Sequence, residues 1–132
     1  MHRFEHIQSK LWDFVHGGCL FFSILAAYED KTKTETDFID IFVKSVSKRW
    51  VSLDGNVNNS LAILEYIDGK KWARKIVGDL LEIPKGKDGF IIEKWESREG
   101  GTHFKPQGYD VFLNSRTVCT GQLLCYYFYY HE

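Results

Sequence analysis

The sequence predicts an α+β fold, with helices in the first half and an antiparallel sheet in the second. Up to Gly69 the apolar residues recur at helical spacing, and from Trp72 onward they gather into short β-prone runs separated by Gly and Pro turns. The chain has 132 residues, 44% apolar and 16% aromatic. That supports a single domain over 1–132 with a sizeable core.

Residues 5–16 carry Ile7, Leu11, Phe14 and Val15 near one helical face. Residues 19–29 form the central helix, with Leu20, Phe21, Ile24, Leu25 and Tyr28 in phase, followed by a polar loop from Glu29 to Lys33. Thr34 with Asp37 three residues on is a capping pattern for a second helix, whose apolar face is Phe38, Ile39, Phe42, Val43 and Val46. Residues 52–59 are rich in turn formers. Ser60 starts a third helix through Leu61, Leu64 and Tyr66, ended by Asp68-Gly69. Strands are expected at 72–77 and 90–95, separated by the Pro84–Gly89 turn region. A hairpin is expected from 102–105 and 109–113 around Pro106-Gln107-Gly108. The aromatic run within 123–130 fits a buried central strand.

Charged residues make up 27% of the chain and the net charge is -1, so nothing in the charge balance favours a nucleic-acid partner. Tyr126-Tyr127-Phe128-Tyr129-Tyr130 lacks the basic groove of a stacking platform. The N-terminus has no signal-peptide pattern, and the apolar stretch from Leu20 to Tyr28 is too short to span a bilayer. The expectation is a soluble, cytoplasmic protein with no membrane partner. Three scattered cysteines show no CxxC pairing, which argues against a disulfide framework or zinc ribbon and for a reducing compartment. No dinucleotide or phosphate-loop motif is present, so no organic cofactor is expected, and no second CxxC or HxxxH pattern supports a Cys19, His16 and His103 metal site, so no metal is expected.

One constellation carries chemistry. Cys19 follows Gly17-Gly18 at the start of the central helix, where unpaired N–H groups and the helix dipole favour a thiolate, the nucleophilic form. Free cysteine is also among the most buried residue types, so a structural role competes with a catalytic one. If Gln107-Gly108 is the two-residue turn of a hairpin, His103, Lys105, Asp110 and Phe112 share one face. His103 and Asp110 are then diagonal neighbours roughly 7–8 Å apart, close enough for an imidazole–carboxylate bond. Asn114 is an alternative orienting group, and His16 a rival base or ligand. Cys119 and Cys125 are better suited to structural roles.

The order Cys, His, Asp is that of papain-like cysteine hydrolases. His103-Phe104, the run Tyr109-Asp110-Val111-Phe112-Leu113-Asn114-Ser115-Arg116-Thr117-Val118, Gly121 and the terminal aromatic strand resemble a small Borrelia-type family carried on spirochaete plasmids, prophages and other bacterial mobile elements. That family is itself similar in fold to papain-like and bacteriocin-processing peptidases. The likeness runs from about Val15 to Tyr130. It implies a papain-like core, with Cys19 as nucleophile, His103 as general base and Asp110 as orienter. Two positions depart from the pattern. Asp13 stands six residues before the cysteine, where papain-like enzymes often place an oxyanion-hole glutamine, and Val111 stands where proline is common. A carboxylate at position 13 would repel a developing oxyanion.

Two functions follow. In a cysteine hydrolase (a peptidase or amidase), His103 takes the Cys19 proton and the sulfur attacks a carbonyl. His103 then protonates the leaving group while Asp110 fixes its tautomer. The bond is a peptide, isopeptide, amide or thioester. The alternative is a non-catalytic binding or assembly module on the same scaffold, holding a peptide, a cell-wall fragment or a protein partner.

Overall fold

The structure, a computed structural model, describes residues 3–4, 19–96, 101–109 and 121–132. Among these, three helices precede a four-stranded antiparallel sheet, the α+β order expected from the sequence. The segment 5–16 and residues 110–113 of the expected hairpin lie outside the described residues, as do His16, Asp110, Asn114 and Cys119.

Helix α1 (Cys19–Thr32) is apolar nearly all round and is accordingly buried nearly all round. It runs past Glu29 to Thr32, so most of the expected polar loop is its last turn. Phe21, Phe22 and Leu25 pack with Phe4, Phe38, Ile41 and Ile63 on one side. Ile24, Ala27 and Tyr28 pack on the sheet through Trp72, Phe90, Ile92 and Tyr129. The helix is thus the shared layer between two cores.

Helix α2 (Phe38–Ser47) is capped by Asp37, whose carboxylate accepts the Asp40 N–H at 3.1 Å. Thr34, the residue expected to cap, instead donates its hydroxyl to the Thr32 carbonyl. The helix therefore starts later, and its buried face is Phe38, Ile41 and Ser45, while Ile39 and Val43 are exposed. Helix α3 (Ser60–Asp68) has Asn59 as its cap. It ends at Gly69 with φ +73°, the left-handed conformation that favours glycine.

The sheet comprises β1 (Trp72–Val77), β2 (Gly89–Glu96), β3 (Thr102–Pro106) and β4 (Gln122–His131), in the order β1-β4-β2-β3. The aromatic strand β4 is interior, as its composition predicts. The pairs Phe90↔Tyr129, Ile92↔Tyr127 and Lys94↔Phe104 fix the face that meets α1. Between Lys94 and Trp95 the register with β4 slips by one residue, a β-bulge. Tyr109 N–H donates to the Pro106 carbonyl at 3.3 Å, closing the turn expected at Gln107-Gly108. β3 itself pairs with β2.

No helix among the described residues is long and apolar enough to cross a membrane.

Candidate functional site

Cys19 is the first residue of α1 and is 4% exposed. The residue lines an open cleft of about 590 Å³. Asp54, Asn56 and Val57 contribute from the turn before α3, and Lys94, Thr102 and Phe104 from the sheet. The turn is held by the Asp54 carboxylate accepting the Asn56 N–H at 3.0 Å, and Gly55 sits at φ +89°.

The contact between α1 and the sheet follows from strand hydrogen bonding. Gln107 N–H donates to the Ile91 carbonyl at 3.0 Å. Counting along the register, Lys105 and His103 face β2 with their backbone groups, and Phe104 turns its N–H and C=O to the free edge. Helix α1 covers that edge. Ser23 donates its hydroxyl to the Phe104 carbonyl at 3.3 Å, and Phe104 makes a backbone hydrogen bond to Cys19. Because that bond lowers the thiol pKa, the Phe104 N–H is the donor. Cys19 and Ser23, one helical turn apart, thereby serve both polar groups of one edge residue.

Burial pushes the Cys19 thiol above its ordinary value. The N–H groups of Phe104, Leu20 and Cys19 itself pull the other way and do not win. The expected ease of ionisation at a helix start is thus reversed by desolvation.

The structure brings Cys19 to the backbone of Phe104, one residue from His103. Thr102 and Phe104, the residues flanking His103, both line the cleft. Alternation along β3 puts His103 on the opposite face, with its cross-strand partner Trp95 and with Lys105. There Lys105 pairs with Glu93 at 2.8 Å, both nearly buried, and Trp95 Nε1 donates to Glu93 at 2.9 Å. Asp110 lies outside the described residues.

Lys94 is the site residue that sequence reasoning passed over. It has the same strand parity as the core residues Phe90 and Ile92, which was the available signal. Among the described residues, no group of three or more His, Cys, Asp or Glu is arranged to hold a metal ion.

Compared with family models, curated proteins and solved structures, the chain matches none.

Proposed function

We propose that the cleft at the start of α1 binds a peptide or another amide-bearing segment, and that the chain acts as a non-catalytic binding or assembly module on a papain-like scaffold. The facing of β3 carries this reading. Thr102 and Phe104 line the cleft, and alternation along β3 assigns the His103 side chain between them to the other face of the strand. The buried thiol, whose pKa burial raises, takes part in covering the sheet edge, a structural use of cysteine. A helix-then-sheet order, with Cys19 at the start of the central helix, supports the papain-like arrangement.

A second reading keeps the cysteine hydrolase with Cys19, His103 and Asp110. It is favoured by the position of Cys19, which lines a cleft at a helix start with backbone N–H groups directed at its sulfur. In that reaction His103 accepts the thiol proton, the sulfur adds to the carbonyl carbon, and the proton passes to the departing amine. Water then hydrolyses the acyl-enzyme.

One experiment separates the two. Short blocked peptides are added to isotopically labelled protein. Amide resonances are followed by NMR, and the peptides are recovered for mass spectrometry. The binding reading expects shifts at Gly55, Thr102 and Phe104 and intact peptide. Cleavage abolished by Cys19→Ala would establish the hydrolase, and an unperturbed cleft with intact peptide would remove the binding reading.

A further inference from the structure

We infer that the cleft selects ligands bearing a carboxylate, and that the Lys94 ammonium is the group that receives it. This rests on the cleft being a binding site and adds the chemistry of what it binds. Lys94 projects from the face of β2 that meets α1, beside the β-bulge, and lines the cleft together with Thr102 and Asn56. Bulges re-aim side chains and are common beside functional sites.

The ammonium is 5.8 Å from the centroid of the Phe104 ring and 5.9 Å from that of Tyr127. The two rings are themselves 5.5 Å apart and tilted. The pair of ring faces holds the cation in place without neutralising it. Among the described residues, no carboxylate lies within ion-pair distance of Lys94. Lys105, on the other face of the same strand pair, is matched to Glu93 at 2.8 Å. The half-buried lysine that faces the cleft is therefore the one left with its charge available.

The cleft also constrains the rest of the ligand. Thr102 and Asn56 bring a hydroxyl and an amide, both able to donate to a second carboxylate oxygen. Asp54, contributed by the turn, is the acidic residue of the lining. It disfavours a polyanion and suits an N–H or amine elsewhere on the same ligand. One carboxylate followed by amide N–H groups describes a peptide. The carboxylate is either its C-terminus or an acidic side chain.

The test uses three probes on the whole chain: N-acetyl-Gly-Ala with a C-terminal carboxylate, the same dipeptide as its C-terminal amide, and N-acetyl-Asp-Ala amide. Binding is followed by NMR titration at low and moderate salt. A charge-assisted contact predicts the carboxylate form binding about tenfold tighter than the amide at low salt, with the gap narrowing as salt rises. Lys94→Met should reduce the acid to the affinity of the amide, and Lys94→Arg should keep the preference. If N-acetyl-Asp-Ala amide also binds tightly, side-chain carboxylates are accepted. If it behaves as the neutral peptide, the site takes C-termini. Equal affinity for acid and amide, or a preference that survives Lys94→Met, overturns the inference. Equal binding with shifts confined to the cleft would leave the peptide-binding reading standing, and no shifts with any probe would remove both.

Discussion

Replacing Glu29 with alanine should cost this protein a large part of its stability. Glu29 sits on the last turns of α1 and is 7% exposed. Its carboxylate accepts hydrogen bonds from Arg3 Nε at 3.2 Å, Arg3 Nη2 at 2.8 Å, Thr36 N–H at 2.6 Å and the Thr36 hydroxyl at 2.7 Å. Breaking a buried pair by deleting one partner costs about 3–5 kcal/mol. The Arg3 side chain is 33% exposed and regains water, so its share is discounted and about 3 kcal/mol remains. Glu29→Gln should cost less, about 1–2 kcal/mol. With its amide oxygen at the Oε2 position it keeps the Thr36 donors and Arg3 Nη2, and loses the Nε bond and the charge. Burial pushes the Glu29 carboxyl up, but Arg3 and the two Thr36 donors reverse this and hold it below the ordinary carboxylate value. A lowered folded-state pKa contributes stability that is complete above the unfolded value, about 4.3, and is lost as pH falls through the folded one. Urea unfolding of wild type, Glu29→Ala, Arg3→Ala and the double variant at neutral and acid pH measures all of this. A Glu29→Ala cost below about 0.5 kcal/mol at neutral pH, or one that grows on acidification, would refute the reasoning.

Other positions give equally direct tests. A Cβ on Gly89 would lie 1.9 Å from the Tyr129 carbonyl oxygen, a backbone atom that cannot yield. Gly89→Ala should therefore cost about 3 kcal/mol, a fall in Tm on the order of 10 °C by thermal unfolding. Tyr129 is fully buried and bonds Ser60 Oγ at 3.0 Å. Tyr129→Phe should cost about 1 kcal/mol, and adding Ser60→Ala should cost less than the sum of the two single changes. Ser23→Ala leaves the Phe104 carbonyl without its hydroxyl donor and should cost about 1–2 kcal/mol by urea unfolding. Iodoacetamide should label Cys19 no faster than the half-buried Cys125, with its rate rising only at a pH above that of an ordinary thiol and unchanged by His103→Ala. Peptide mass spectrometry reads this out, and fast labelling that depends on His103 would restore the activated Cys–His pair.

Local chemistry was legible in the sequence where it decides the outcome. Asp68-Gly69 ends a helix because the left-handed turn there favours glycine, and the β-prone aromatic run forms β4, an interior strand of the sheet that buries Phe128 and Tyr129. Helix phase and facing were not legible, because they depend on partners distant in sequence. Thr34 and Asp37 both offer a capping oxygen, and Glu29 recruits Thr36 to hold the intervening segment, which moves the start of α2 to Phe38. Of the face expected to carry His103, Lys105, Asp110 and Phe112, Asp110 and Phe112 lie outside the described residues, and Lys105 pairs with Glu93 beside Trp95, the cross-strand partner of His103. Which face meets α1 is set by Phe104, whose ring reaches both cores while its backbone bonds Cys19 and Ser23. Helix-start position alone suggested a thiolate, but the desolvation that reverses this arises only once the two cores close around α1.

The order β1-β4-β2-β3 also sets a timetable for synthesis. Strands β1 and β2 emerge from the ribosome well before β4, the strand that bridges them, so Trp72 waits for a partner at His131. Phe21 and Phe22 can already pack on α2 and α3, but until β4 is made the core between α1 and the sheet lacks Tyr127 and Tyr129. The β2–β3 pair can form ahead of β4, but among the described residues β1 joins the sheet through β4 alone, so the sheet is completed only by its last strand.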